Sequence, residues 1–383
     1  MSVTAAKGFT AAGIAAGIKE NGNPDLALVV NTGPRLAAAG VFTSNRVKAA
    51  PVLWSEQVLK GGLVSAVVLN SGGANACTGS QGFQDTHATA EKVADVLSLN
   101  AGEVAVASTG LIGVTLPMDK LLPGVEKAAG ELSAHGGEKA AIAIKTTDSV
   151  HKTSVVTKDG WTVGGMAKGA GMLAPGLATM LVVLTTDADL GADVLDRALR
   201  DATRLTFDRV DSDGCMSTND TVLLLASGAA EVTPEYAEFA EAVREVCADL
   251  GRQLIGDAEG ASKDIRVDVV NAADEADAVE VGRSIARNNL LKCALHGEDP
   301  NWGRVLSAIG TTSAAFDPNR LNVAINGVWV CKNGSVGEDR ELVDMRYREV
   351  VITADLAAGT ETATIWTNDL TADYVHENSA YSS

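Results

Sequence analysis

Aromatic residues make up only 4% of this 383-residue chain, and its apolar runs are short, Leu63 to Leu69, Met180 to Leu184 and Val222 to Ala226 among them. A membrane-spanning helix needs roughly 20 consecutive apolar residues, so no transmembrane helix is expected. Positive charge is also scarce. Lys and Arg total 31 against 49 for Asp and Glu, a net charge of −18, which works against binding nucleic acid or an anionic membrane and leaves small molecules as the expected partners. The five cysteines (Cys77, Cys215, Cys247, Cys293, Cys331) form no CxxC pair, a pattern suited to free thiols in a reducing compartment. The five histidines are equally scattered, with no HExxH, so neither a metal nor a cofactor is expected. The segment from Met1 to Ala16 lacks the apolar stretch of a secretory signal, and the expected location is the cytoplasm.

What is abundant is glycine, 39 residues, beside 46% hydrophobic content. Short Val/Ile/Leu runs alternating with Ala-rich stretches predict an α/β protein with tight turns, long enough for two to three domains. Strands are expected at Leu26 to Val30, Ala66 to Leu69, Val104 to Ala107, Thr153 to Val156, Met180 to Leu184, Val222 to Ala226, Ile265 to Val270 and Leu321 to Ile325. The spacing of Phe239, Val243, Val246 and Leu250 predicts a helix over Pro234 to Leu250, capped by Thr233 with Pro234 in first position. Thr86 to Leu97 and Ala192 to Leu205 read as helices too. Gly72 to Gly82 and Gly164 to Gly176 are too polar and irregular for either element and are expected as ordered loops.

Four segments draw attention for chemistry. From Gly164 to Leu184 a glycine-rich stretch with one lysine, Lys168, runs into Thr179 at the start of an apolar strand. One reading is a β-turn at Pro175–Gly176 leading into a strand. The other is self-cleavage, in which the Thr179 hydroxyl attacks the Ala178 carbonyl in an N-to-O acyl shift. That reaction would free an α-amino group, with an ordinary pKa near 8, able to act as base for its own hydroxyl. Lys168 is not set in a GxxxxGK[ST] order, so a phosphate loop is weakly supported. Ala107 to Gly113 places Thr109 and Gly110 at a strand end, where a hydroxyl and a backbone N–H could hold an oxyanion or simply form a turn. Asp211 to Thr221 lacks the ligand spacing and closing Glu of a calcium loop and reads as a polar loop. Gly297 to Arg304 reads as a turn with an aromatic residue.

These segments together resemble the ornithine acetyltransferase family across nearly the whole chain. The matching stretches are Ala107 to Gly113 (ASTGLIG), Lys145 to Asp148 (KTTD), Gly164 to Met172 (GGMAKGAGM), Leu177 to Leu181 (LATML), Asp213 to Thr221 (DGCMSTNDT), Gly256 to Lys263 (GDAEGASK) and Asp299 to Arg304 (DPNWGR). The resemblance implies a mixed-sheet α/β sandwich with a smaller C-terminal α/β part. It also implies self-cleavage between Ala178 and Thr179, giving an α chain of residues 1–178 and a β chain of residues 179–383 that stay together, as an α2β2 heterotetramer.

By the same resemblance, Thr179 takes the acetyl group of N-acetylornithine and passes it to glutamate in a ping-pong cycle. Thr109 and Gly110 resemble the oxyanion hole, and Lys168 the substrate-binding lysine. Glu259 would receive the ornithine ammonium, and Thr146 or Thr147 would hydrogen-bond the substrate, with the choice between them open. Asn378 and Ser383 match family residues near the chain end that reach the active site. Cys215–Met216 stands where members more often carry a polar pair. Whether acetyl-CoA is a second donor stays open, as do two rivals: an amidase or aminopeptidase on a related self-cleaving scaffold, and an uncleaved ligand-binding protein.

Overall fold

A computed structural model describes residues 2–174 and 180–380. The described residues divide into two compact units, one within 2–208 and 215–257, the other within 209–214 and 258–380.

In the first unit β1 (Phe9–Ile14), β2 (Leu26–Asn31), β3 (Ala37–Phe42) and α1 (Ala50–Leu59) are followed by β4 (Ala66–Ser71), α2 (Gly79–Leu97) and β5 (Val104–Thr109). Next come α3 (Met118–Gly130), α4 (Gly137–Ala143), β6 (Lys152–Thr157), β7 (Thr162–Lys168), β8 (Leu181–Thr186), α5 (Ala192–Leu205), β9 (Thr221–Ala226) and α6 (Tyr236–Gly256). The strands form two mixed sheets, ordered β1-β2-β4-β5 and β3-β9-β8-β7-β6. In the first sheet β4 and β5 run parallel; in the second β8 and β9 do.

Side chains on a strand alternate between faces, and the first sheet uses both. Ala27, Val29, Val67, Leu69, Ala105 and Ala107 face the second sheet, packing with Met166, Leu181, Val183, Leu223 and Leu225. The intervening Leu26, Leu28, Val68 and Val106 face outward onto Val93 of α2 and Leu121 and Val125 of α3. A sheet covered on both sides reads as an unbroken apolar run, which is why β2, β4, β5, β8 and β9 were visible in the sequence. Helices α5 and α6 pack against each other and cover the second sheet. Helix α5 presents Leu195, Ala198, Leu199 and Ala202 on one buried face, as the helical period requires.

Three expectations need correction, the first being the loop at Gly72 to Gly82, whose last four residues open α2. The stretch from Gly164, expected as a loop, begins inside β7, a strand paired on both sides by β6 and β8. Glycine stands at 164 because a Cβ there would lie 2.4 Å from the backbone oxygen of Ser2, so the strand gives up side chains to let the N-terminal segment pack on it. The helix expected from Pro234 starts instead at Tyr236, with Glu235 at its N-cap, and continues to Gly256. Its expected apolar face, Phe239, Val243, Val246 and Leu250, is buried.

The second unit adds β10 (Asp264–Ala272), α7 (Glu275–Ala286), α8 (Asn289–His296), α9 (Trp302–Ile309), β11 (Asn322–Ile325), β12 (Val328–Lys332), β13 (Ser335–Val336), β14 (Glu349–Asp355), β15 (Glu361–Asn368) and α10 (Ala372–Ala380). Its sheet runs β13-β12-β11-β14-β10-β15. One face, carrying Ile265, Val267, Val269 and Ile365, packs with Val281 and Ile285 of α7. The other face keeps Arg266 and Asp268 partly exposed. Among the described residues no helix is long and apolar enough to cross a membrane.

Candidate active site

The two sheets of the first unit bring two strand ends together. Thr109 closes β5 and Lys168 closes β7, both buried, and the Lys168 Nζ donates to the Thr109 Oγ1 at 3.1 Å. The backbone oxygen of Thr109 accepts from the N–H groups of Gly72 and Gly73 at 2.9 and 3.0 Å. This tight loop explains the next residue. Gly110 has φ +130°, and a Cβ there would lie 2.5 Å from the Gly73 nitrogen, so no side chain fits without displacing the loop.

Burying an ammonium is costly unless its charge is matched. A carboxylate stands close by. Asp148 Oδ1 accepts from the Gly169 N–H and from Lys152 Nζ, each at 2.6 Å, and Oδ2 accepts from the Thr146 N–H at 3.0 Å. Burial pushes the pKa of this carboxyl up, but the charges of Lys168 and Lys152, with the Lys152 and Gly169 hydrogen bonds, outweigh it and hold it at about 2. Lys152 is shared with Asp257 at 2.5 Å. Lys19, whose Nζ donates to the Lys145 oxygen at 2.6 Å, has its pKa lowered, first by burial and also by the charges of Lys168 and Lys145, against Asp25 and Asp148.

Asn219 braces the same region, its Nδ2 donating to the backbone oxygens of Ala74 and Ser108 at 2.6 and 2.8 Å. Its neighbour Asp220 is fully buried, and its Oδ1 accepts from the Met180 N–H at 3.1 Å. The other oxygen, Oδ2, has no hydrogen-bond partner among the described residues. Burial raises this carboxyl's pKa well above the ordinary value, only partly offset by the Met180 and Ser217 hydrogen bonds and by Lys168, while Asp208 pushes the same way as burial.

Of the residues singled out from the sequence, Thr109, Gly110, Thr146, Thr147 and Lys168 belong to the first unit. Thr146 and Thr147 are half-buried. Glu259 and Asn378 belong to the second, where Asn378 Nδ2 donates to Glu259 Oε2 at 2.9 Å and to the Tyr374 oxygen at 3.0 Å. Ala178, Thr179 and Ser383 lie outside the described residues. Sequence reasoning missed Lys19 and Lys152, while Asp220 and Asp257 fell within the DGCMSTNDT and GDAEGASK matches without a role. Asp148 fell within the KTTD match but drew no role.

A family model and curated relatives match this chain over nearly all of its length. The model of the ArgJ family matches residues 10–383. The arginine biosynthesis bifunctional protein ArgJ of Streptomyces avermitilis is 88% identical over 383 residues, 100% of each chain. Its counterpart from Thermobifida fusca is 62% identical over 382 residues, again 100% of each. Among solved structures, the ornithine acetyltransferase of Mycobacterium tuberculosis complexed with ornithine is 61% identical over 47% of this chain and 96% of that one, with a TM-score of 0.45.

Proposed function

The chain belongs to the ArgJ family, and from that membership we propose its chemistry residue by residue. It is an acyltransferase of arginine biosynthesis that moves the acetyl group of N2-acetyl-L-ornithine to L-glutamate, releasing L-ornithine and then N-acetyl-L-glutamate. Its relatives are named bifunctional, and acetyl-CoA as a second donor to glutamate belongs to the same proposal. The chain cleaves itself between Ala178 and Thr179 into residues 1–178 and 179–383, which remain together, work in the cytoplasm and pair as α2β2.

In this proposal the Thr179 hydroxyl, with its freed α-amino group as base, attacks the acetyl carbonyl. Thr109 and Gly110 stabilise the oxyanion. Lys168 pairs with the α-carboxylate that donor and acceptor share, Glu259 receives the ornithine ammonium, and Thr146, Thr147, Asn378 and Ser383 complete the substrate contacts. The observation that carries the reading is the buried 3.1 Å bond from Lys168 to Thr109. An ammonium can only donate, so the Thr109 hydroxyl accepts from it and keeps its own proton to offer to an oxyanion.

The test is an incubation with N-acetylornithine, with and without glutamate. The reading expects sustained ornithine release only when glutamate is present. Equal sustained release without glutamate would make the protein an amidase.

A further inference from the structure

In the second unit Glu259 stands on a turn, and a turn holds a side chain only as firmly as its own backbone is held. Gly260 follows in the left-handed region at φ +60°, and the Ala261 N–H closes the turn onto the Ala258 oxygen at 3.0 Å. Just beyond, the chain is fixed by the buried Asp369, whose Oδ1 accepts from the Ser262 and Lys263 N–H groups at 2.9 and 3.0 Å. The turn itself is held by a residue that no motif singled out.

Thr371, buried between β15 and α10, uses its hydroxyl in both directions. The Oγ1 donates to the Gly260 oxygen at 2.6 Å and accepts from the Tyr374 N–H at 2.9 Å. The second bond runs from the third helical residue back to the one before the helix, as when a threonine caps an N-terminus. The first is not a capping bond. It ties the capped helix to the turn, and a Cβ on Gly260 would lie 2.2 Å from the Tyr374 nitrogen, so turn and helix meet backbone to backbone. The same helix carries Asn378, whose Nδ2 donates to Glu259 Oε2 at 2.9 Å. One hydroxyl thus joins the two elements that supply the Glu259–Asn378 pair.

We propose that Thr371 is a positioning residue for the ornithine ammonium, acting through Glu259, an inference that rests on the assignment of Glu259 made above. A charge-assisted hydrogen bond is strong only near about 2.7 to 2.9 Å and over a narrow range of angles, so a turn that drifts by about an ångström forfeits much of it. With Gly260 released and α10 uncapped, Glu259 keeps its charge and loses its aim. The Asp369 bonds stay in place, so the disturbance is local to the turn.

The experiment measures kcat/KM for N-acetylornithine and for glutamate in protein shown by gel to be fully self-cleaved, since in a ping-pong cycle each reports its own half-reaction. Thr371→Val keeps the shape and removes the hydroxyl. Thr371→Asp keeps an acceptor for the helix cap but has no proton for the Gly260 oxygen, and Thr371→Ser keeps both bonds. Thr371→Val and Thr371→Asp are expected to lose about 10-fold in kcat/KM for the donor with the acceptor within about two-fold, while Thr371→Ser matches the parent for both. Added to Glu259→Gln, Thr371→Val should cost the donor nothing further, because the charge it aims is gone. If Thr371→Val does not fold, Thr371→Asp decides. Equal losses for donor and acceptor, or a donor loss undiminished in the Glu259→Gln background, would overturn the proposal. Glu259→Gln keeps the two ideas apart. If it leaves the donor untouched, the ammonium assignment falls and this proposal with it. If it weakens the donor while Thr371→Val and Thr371→Asp do not, only the role of Thr371 falls.

Discussion

At Thr109 the direction of one hydrogen bond sets the expected chemistry. Because Lys168 donates into its oxygen, the hydroxyl has a proton to give, and serine in its place would keep that proton while alanine would not. Thr109→Ala should lower the acetyl-transfer kcat by about 100-fold, the usual cost of one oxyanion donor, and Thr109→Ser should stay within a few-fold of the parent. Equal losses in the two variants would point to packing instead. Glu259 makes a different prediction. Ornithine carries a side-chain ammonium that glutamate lacks, so Glu259→Gln should cost the donor about 10- to 150-fold in kcat/KM, the worth of one charge-assisted contact, and spare the acceptor. Asp148 drew no role from the sequence because its partners Lys152 and Gly169, and Asp257 that shares Lys152, gather only on folding. Its folded pKa, about 2 against 3.8, is depressed, so its contribution is present above the unfolded value and is lost as pH falls through the folded one. Asp148→Asn should cost about 2 kcal/mol at neutral pH. In urea unfolding its difference from the parent should shrink between about pH 4 and about pH 2.

Strands were legible where both faces are buried, as in β2, β4, β5, β8 and β9, whose six residues each are all buried. Two strands the reading did not find, β7 and β1, pack by backbone and not by side chain. Strand β7 carries Gly164 and Gly165 in its middle, and β1 is built from FTAAGI, so neither has the bulk that marks a strand. The start of α2 at Gly79 was missed for a related reason: its first turn, Gly-Ser-Gln-Gly, reads as a loop. The reading of β7 as a strand has a consequence. Gly164→Ala places a methyl group 2.4 Å from the Ser2 backbone oxygen, which must move, and the variant should lose about 1 to 3 kcal/mol. Thermal unfolding measures it; a melting temperature equal to the parent's would show that the N-terminal segment yields at no cost.

For the whole molecule, composition bounded the answer and the motifs chose within it. A net charge of −18 directed attention to small-molecule chemistry, but nothing in periodicity pointed to a threonine nucleophile. That came from motifs spread from Ala107 to Arg304, and the ArgJ match over residues 10–383 agrees with their span. The central claim is that one covalent intermediate, an acetyl ester on Thr179, links donor and acceptor. It is tested most directly by mixing the processed protein with N-acetylornithine in the absence of glutamate, quenching in acid and mapping the acetyl group by peptide mass spectrometry. The account predicts one acetyl group on the peptide that begins at Thr179, removed when glutamate is added. An unmodified Thr179 peptide, or an acetyl group on any other residue that glutamate then discharges, would contradict it.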